Sequence, residues 1–388
     1  MNKFIPFMLF FLFISGTFAT AINSISATEL VENSWNTKIT SPSSERQGFR
    51  AVAVEGKIYA IGGSYDTYSG PPFDYVTTHY VDTNEQYDPK TNKWTTLEPM
   101  PTPRAAFAIT AYQGKIYCIG NTFEVYDIAT DSWSAKDSPL FPARYMQAHV
   151  VDGKILLRTS ATLIIYDLVE DSWIKETQIP DLEPRYFITS TVVDDKIIFF
   201  CVDEHDYPYD RTATVDVAIY DPKTDKWSKG KTQEIGLLKS GAWSGITVAG
   251  VTTGAYAPKN IYVFGFKEGQ QFTWVYDPVN DMWSTAKAMP SMGVYGGVAH
   301  VDVAEVADIL YVFGQHTAIS EIYMMQYVPI GYNPQGYSDT QSSATDATSS
   351  SVPSEPTPFW SFLTVFVVAI IILMVSCAIA TYTKRRKH

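Results

Sequence analysis

The sequence predicts an all-β ring of six four-stranded sheets closed by its own N-terminal strand, with a C-terminal transmembrane helix after it. Three observations carry this. A Tyr-Asp pair stands seven residues before a Trp five times: Tyr87 and Trp94, Tyr126 and Trp133, Tyr166 and Trp173, Tyr220 and Trp227, Tyr276 and Trp283. An apolar hairpin precedes each pair, as in AVAVEGKIYAIGG and ITAYQGKIYCIG. Residues 359–383 run for 25 residues without a charge.

The residues between each Tyr and Trp are turn-formers: DPKTNK, DIATDS, DLVEDS, DPKTDK and DPVNDM. Two aromatic-bearing strands joined by a tight hairpin need that chemistry. With the upstream hairpin, each unit has four strands, here a, b, c and d. Successive Trp residues lie 39, 40, 54 and 56 residues apart, the repeat length of a propeller blade. Five blades end at Trp94, Trp133, Trp173, Trp227 and Trp283. A sixth begins near Val294, and its strand c is predicted over about 321–328. Tyr327-Val328-Pro329 echoes Tyr87-Asp88-Pro89, but no Trp follows. Glu32-Asn33-Ser34-Trp35 matches the Asp-Ser-Trp of blades 2 and 3, so the N-terminal strand is expected to complete blade 6. Closure of this kind removes exposed sheet edges.

These repeats resemble the kelch-repeat β-propeller family. The resemblance rests on Gly62-Gly63 after strand b, the Tyr-Asp pair, the Trp seven after the Tyr, and an Arg opening the next unit. It covers about residues 30–330, with the double Gly present only at 62–63 and Arg158-Thr159 in its place in blade 3. It implies the six-bladed kelch-type fold, and it is specific to fold rather than to function.

The two ends read as addressing and anchoring signals. Residues 1–21 have Lys3, the apolar stretch 4–14 and Ala19-Thr20-Ala21, the pattern of a secretory signal peptide cleaved before Ile22. The propeller is assigned to residues 22–332. Residues 333–358 are rich in Ser, Thr and Pro and read as a stalk. Residues 359–383 suit a bilayer span, and residues 384–388 form a basic tail. Lys384-Arg385-Arg386-Lys387 places that tail in the cytoplasm and the propeller outside. The expected product is a single-pass type I protein of the cell membrane.

Charge excludes one class of partner. Lys+Arg is 29 and Asp+Glu is 41. Without Lys3 and the basic tail, 24 basic residues face 41 acidic ones, a net −17 over residues 22–358. Such a surface repels phosphate backbones, so nucleic acid is not an expected partner.

Insertions mark the working face. Antiparallel order puts the d–a and b–c connections on one face and the a–b and c–d turns on the other. Residues 64–82, 202–215 and about 229–243 are long connections on the first face, and long loops on a rigid scaffold commonly carry function. They supply the candidate binding residues Tyr65, Asp66, Tyr68, Phe73, Asp74, Tyr75, Tyr80, Asp206, Tyr207, Tyr209 and Arg211. Tyr beside carboxylates suits protein surfaces and sugars, through stacking and hydroxyl hydrogen bonds; the alternative is packing of the loops on each other. Arg46, Arg104, Arg144 and Arg185 precede the strand-b Lys by 11, 11, 10 and 11 residues. They would stand near the channel mouth and could receive a carboxylate or acidic peptide. Family resemblance implies a bracing role for such an Arg as the alternative.

No catalytic or metal motif stands out. Asp203-Glu204-His205-Asp206 offers cation ligands but also fits a solvated acidic loop. Kelch relatives with a copper radical site need a Cys crosslinked to Tyr and two His ligands, and the six His here have no such spacing. Cofactors are not expected. The function expected is extracellular recognition of a protein or glycan. The alternative, implied by six-bladed kelch relatives that isomerise sialic acids, is a carbohydrate-active mutarotase or epimerase.

Overall fold

Strands that are apolar on both sides must be covered on both faces, and a ring of radially stacked sheets does this. A computed structural model describes residues 30–43, 46–69, 75–138, 147–159, 162–179, 186–206, 211–238, 244–268, 270–290, 299–315 and 322–338. The signal segment 1–21, most of the stalk and the apolar span 359–383 lie outside the described residues. Among those described, no helix is long and apolar enough to cross a membrane.

Among the described residues the elements are strands throughout. A short β1 (Ser34–Asn36) precedes blade 1, which comprises β2 (Arg50–Val54), β3 (Lys57–Ile61), an inserted hairpin of β4 (Ser64–Ser69) and β5 (Tyr75–Tyr80), then β6 (Asn84–Asp88) and β7 (Lys93–Thr96). Blade 2 is β8 (Ala108–Tyr112), β9 (Lys115–Ile119), β10 (Phe123–Asp127) and β11 (Ser132–Lys136). Blade 3 is β12 (Gln147–Val151), β13 (Lys154–Arg158), β14 (Thr162–Asp167) and β15 (Ser172–Gln178). Blade 4 is β16 (Tyr186–Val193), β17 (Lys196–Asp206), β18 (Arg211–Asp221) and β19 (Lys226–Lys229), with β20 (Gln233–Leu238) added. Blade 5 is β21 (Ser244–Val251), β22 (Ile261–Lys267), β23 (Gln270–Asp277) and β24 (Met282–Ala286). Blade 6 has β25 (Ala299–Val306), β26 (Ile309–Gln315) and β27 (Ile322–Val328), and β1 is its fourth strand.

β1 pairs antiparallel with β27, placing Trp35 opposite Tyr327. That is the register of Tyr87 with Trp94 and of Tyr126 with Trp133. The six-bladed ring and its N-terminal closure are therefore as the repeat spacing predicts.

The apolar core is divided among the six interfaces between blades. Alternate residues of each b strand serve different neighbours, because side chains point to opposite faces with period two. In β3, Ile58 and Ala60 pack on blade 6, while Tyr59 and Ile61 pack on blade 2. In β9, Ile116 and Cys118 meet blade 1, and Tyr117 and Ile119 meet blade 3. In β22, Ile261 and Val263 face blade 4, and Tyr262 and Phe264 face blade 6.

Polar clasps lock neighbouring blades together. The residue five after each repeat Tyr adopts a left-handed conformation: Asn92, Asp131, Asp171, Asp225 and Asp281 have φ near +50°, and so does Asn33 at the split blade. Asn and Asp tolerate this conformation best among non-Gly residues. Each receives a hydroxyl hydrogen bond from its own Tyr, as Tyr126 donates to Asp131 at 2.5 Å and Tyr327 to Asn33 at 2.9 Å. In four blades a second bond arrives from the preceding blade. Thr40, Glu98, Lys231 and Lys287 donate backbone N–H to Asn92, Asp131, Asp281 and Asn33. The same four residues accept, on their carbonyls, the indole N–H of Trp94, Trp133, Trp283 and Trp35. Trp173 donates likewise to the Asp137 carbonyl.

Blade 5 departs from the uniform a–b turns. Its a–b connection, residues 252–260, is long and wraps the buried Asp308 of blade 6. That carboxylate accepts the N–H groups of Thr253, Tyr256 and Ala257 and the Thr253 hydroxyl. Burial pushes the Asp308 pKa up, but the backbone donors outweigh it and hold it below the ordinary value. The chain leaving β27 docks on this loop: Asn333 and Tyr337 donate N–H to the carbonyls of Tyr256 and Ala255 at 2.6 and 2.8 Å. The folded part thus reaches Tyr337, beyond the stalk boundary expected at residue 333.

Two outcomes are expected. Removing residues 22–45, or replacing Trp35 with Ala, strips blade 6 of its outer strand or of its indole contacts with Phe264 and Tyr327. Trp35→Ala should cost about 3 kcal/mol, read as a lower melting temperature, and unchanged melting would disprove the closure. Glu305 supplies the second test. Burial, with a further push from Asp308, raises its pKa from 4.5 to about 7 against the pull of the Asp308 N–H. The folded state therefore binds more protons than the unfolded state between pH 4.5 and about 7. Stability contributed by this group is present at the low end and lost as pH rises through that window. Glu305→Gln should raise the melting temperature at pH 8 and leave it nearly unchanged at pH 5, and the reverse order would refute the assignment.

Candidate binding site on the loop-bearing face

The inserted segment 64–82 is a hairpin rather than an irregular loop. β4 (SYDTYS) and β5 (YVTTHY) are rich in Tyr and Thr and pair from Ser64 with Tyr80 to Ser69 with Tyr75. Its base is fastened to the propeller by reciprocal backbone bonds between Gln47 and Ser64. The glycine pair leads into it. A Cβ on Gly62 would lie 2.5 Å from the Arg104 carbonyl oxygen, and one on Gly63 2.9 Å from Arg46 Cδ; both have positive φ.

Asp66 is spent inside the hairpin base, accepting from Gln47 Nε2 at 2.9 Å and the Thr78 hydroxyl at 2.7 Å. Tyr65 stacks on His79 with ring centroids 4.9 Å apart, and His79 Nε2 is 2.9 Å from the Thr67 hydroxyl. Tyr65, Val76 and Tyr80 are 43%, 56% and 59% exposed, unusual for large side chains on one small hairpin. On the Tyr80 face of the hairpin a cavity of about 430 Å³ opens between blades 1 and 2, lined by Gln47, Thr78, Tyr80, Arg104, Asn121 and Thr122 among others. Tyr68 and Tyr75 lie on β4 and β5 with side chains outside the description, and Phe73 and Asp74 lie outside the described residues.

The blade 4 connections are also ordered as strands. β17 and β18 run eleven residues each, carrying the b–c hairpin beyond the blade. The d–a connection contributes β20, which pairs with the outer half of β18 from Arg211 opposite Leu238 to Val215 opposite Gln233. Asp206 ends β17 opposite Arg211 at the start of β18; their side chains, and Tyr207 and Tyr209, lie outside the description. Among the described residues no group of His, Cys, Asp and Glu is placed to hold a metal ion.

Of the repeated Arg residues, Arg46 and Arg104 meet partners supplied by the protein itself. Arg46 is buried, with Nη1 2.8 Å from Glu85 Oε2 and its guanidinium 5.3 Å above the Phe49 ring centroid. Burial lowers its pKa against the attraction of Glu85. Arg104 donates to Glu124 at 2.5 Å and to the Cys118 carbonyl at 3.0 Å, and lies 5.1 Å from the Phe107 ring centroid. At both positions the expected ligand carboxylate is replaced by an internal glutamate, so the residues brace strands a and c. Arg144 and Arg185 lie outside the described residues.

A second cavity, about 290 Å³, occupies the ring axis, with Arg50, Thr110, Gln147, His149, Ser190 and Asp302 in its lining. Arg50 Nε is 3.3 Å from Asp302 Oδ2, which also accepts the Ala51 N–H at 2.9 Å. His149 Nε2 lies 2.8 Å from the Ser190 hydroxyl. Burial, then the charges of Arg158 and Arg50, push the His149 pKa down to about 4, so the ring is neutral at pH 7. Sequence reasoning missed Arg50 and His149. Their signal is position alone: each lies within an innermost a strand, where a side chain on one face looks into the channel.

Comparison with known proteins agrees with this architecture. A family model described as the kelch motif matches residues 45–101. An F-box/kelch-repeat protein of Arabidopsis thaliana is 26% identical over 223 residues, 56% of this chain and 58% of that protein. Kelch-like protein 35 of Mus musculus is 28% identical over 204 residues, 50% of this chain and 32% of that protein. The chain thus spans between a third and three fifths of the length of these relatives. Among solved structures, that of YjhT aligns with a TM-score of 0.51 at 12% identity, covering 74% of this chain and 95% of the other, a likeness of fold. Six blades, a split closing blade and the motif match at residues 45–101 make the chain similar to kelch-repeat proteins in fold and in its first repeat.

Proposed function

We propose that this protein is a recognition module displayed at the cell surface, binding an extracellular protein or glycan through its loop-bearing face. The observation that carries the proposal is the β4–β5 hairpin: exposed Val76 and Tyr80 share the face that borders a polar cavity, and exposed Tyr65 stands on the other face. Aromatic rings of this kind give contact area at low entropic cost. Relatives named for their kelch repeats support a role in recognition. The secretory signal at 1–21 and the apolar span at 359–383 with its basic flank support display outside the cell.

A second reading, a carbohydrate-active enzyme such as a sialic acid mutarotase, draws on the polar axial channel with its neutral imidazole and its Arg50–Asp302 pair. The two separate in one experiment. The purified full-length chain is screened against glycans and cell-surface proteins, and assayed for sugar mutarotation. The double variant Tyr65→Ser, Tyr80→Ser should weaken ligand binding at least tenfold with unchanged melting. Retained binding would remove the hairpin from the site, and mutarotation lost in Arg50→Gln but not in the Tyr variant would favour the enzyme.

Orientation gives an additional test. β27 ends at the face of the short turns, and residues 330–337 stay there on the blade 5 loop. The stalk would therefore leave from that face, with the hairpin directed away from the membrane. On intact cells an antibody against residues 64–82 should bind well and one against the turn 89–93 poorly, and the opposite ranking would overturn this orientation.

A further inference from the structure

The cavity on the Tyr80 face of the hairpin has a lining of narrow chemistry. Among the described residues Arg104 is its one charged member, and its charge is closed within the propeller. Nη1 donates to Glu124 Oε2 and to the Thr122 hydroxyl, and Nη2 to the Cys118 carbonyl. The other Glu124 oxygen accepts the Thr102 hydroxyl at 2.6 Å. Asp66, on the same face of the hairpin, is not part of the lining, and Gln47 and Thr78 engage one of its oxygens each. An ionised ligand placed here would lose hydration with no opposite charge to replace it.

The backbone of the wall is also taken. Gln47 and Ser64 exchange N–H and carbonyl, Gly63 donates to the Arg104 carbonyl, Ala106 to that of Gly48, and Gly120 to that of Thr122. A peptide that adds itself as a strand needs a free row of such groups. Side-chain chemistry is what remains. Among the described residues the Asn121 amide and the Tyr80 hydroxyl have no hydrogen-bond partner. Gln47 gives an amide hydrogen to Asp66 and keeps Oε1 as an acceptor. Thr122 accepts from Arg104 and keeps its own hydrogen to donate. Donors and acceptors are thus mixed without charge, which suits hydroxyl groups, since each hydroxyl both donates and accepts. Beside them the Tyr80 ring, 59% exposed, offers a negative π-face to the C–H bonds of a sugar ring.

We propose, building on the loop-face reading above, that this cavity takes the uncharged terminal hexose of a glycan, stacked on Tyr80 with its hydroxyls on Asn121, Thr122 and Gln47. At about 430 Å³ the cavity falls in the range of small-ligand pockets. Charge selects against the acidic termini. A sialic acid, a uronic acid or a sulfated sugar brings an anion, and Arg104 is already paired with Glu124.

The test uses the full-length chain in detergent, followed by ligand-detected NMR and calorimetry. The probes are the methyl glycosides of galactose, glucose and mannose, N-acetylneuraminic acid, and an uncharged acetylated dipeptide amide of serine and threonine. At least one neutral glycoside should bind, and the acid and the peptide at least tenfold more weakly. Asn121→Asp keeps the shape but exchanges the amide donor for a charge, and Tyr80→Ser removes the ring. Each should weaken the bound glycoside at least fivefold with unchanged melting, because both side chains are exposed. No binding of any neutral glycoside, equal or tighter binding of the acid or the peptide, or full affinity in either variant would overturn the proposal. Failure of the loop-face reading looks different: a cell-surface protein that binds through Tyr80 while no glycoside binds would overturn the hexose and leave that reading standing.

Discussion

At four of the blade interfaces a single residue ties two blades of this ring together. The residue just past strand d gives its N–H to the left-handed Asn or Asp of the next blade and its carbonyl to that blade's Trp. Each partner needs the other to be in place. The Asn or Asp oxygen is positioned by the Tyr hydroxyl, and the Tyr ring is held against the Trp at about 5 Å. A burial-only contact would permit blades to slide, since apolar attraction has no direction. Two directed bonds, to the N–H and the carbonyl of one residue, fix both the angle and the register.

Because the clasps set blade geometry from the rim, the interior can be divided into six separate apolar layers, with the axis left unfilled. The a strands contribute small or polar side chains there, among them Ala51, Thr110, Ala148 and Ala249. Cavity space persists on the axis because no blade depends on it for packing. The same division explains how insertions are tolerated. The β4–β5 hairpin and the β17–β18 extension leave the c–d turns untouched, and so leave the clasps intact.

The fold was legible to the extent that it repeats. Tyr, Asp and Trp recur because every interface needs them, and the split blade could be found because Asn33 and Trp35 complete the same pattern from the other end of the chain. The site was less legible. Arg46 and Arg104 repeat for a structural reason, and the sign lay in strand c: Glu85 and Glu124 stand two residues before Tyr87 and Tyr126, whereas Ile164 and Ala218 hold that place in blades 3 and 4. The segment 64–82 was legible as a long connection, and its pairing into a hairpin was not, because SYDTYS and YVTTHY carry no alternation of apolar and polar residues. Arg50 and His149 occur once each within their strands, so no spacing could mark them, and only the closed ring brings blades 1 and 3 to a common channel.

The two ends of the described chain meet on one side. Asn33 lies in the c–d turn position of blade 6, and β27 delivers the chain to that same turn. Glu32 accepts the Gly331 N–H at 2.6 Å, and the Asp308-centred loop of blade 5 holds residues 333–337 below. A propeller closed by its N-terminal strand as the outermost strand of its last blade has no other geometry, because strands c and d share the short-turn edge. Both ends of the described propeller therefore lie on one face. The opposite face carries no terminus, only the connections that can lengthen without cost to the clasps. Ring closure and the freedom of the loop-bearing face are in this sense one constraint: the pairing of Trp35 with Tyr327 that removes the open edge also keeps the ends of the described propeller off the surface where the hairpin stands.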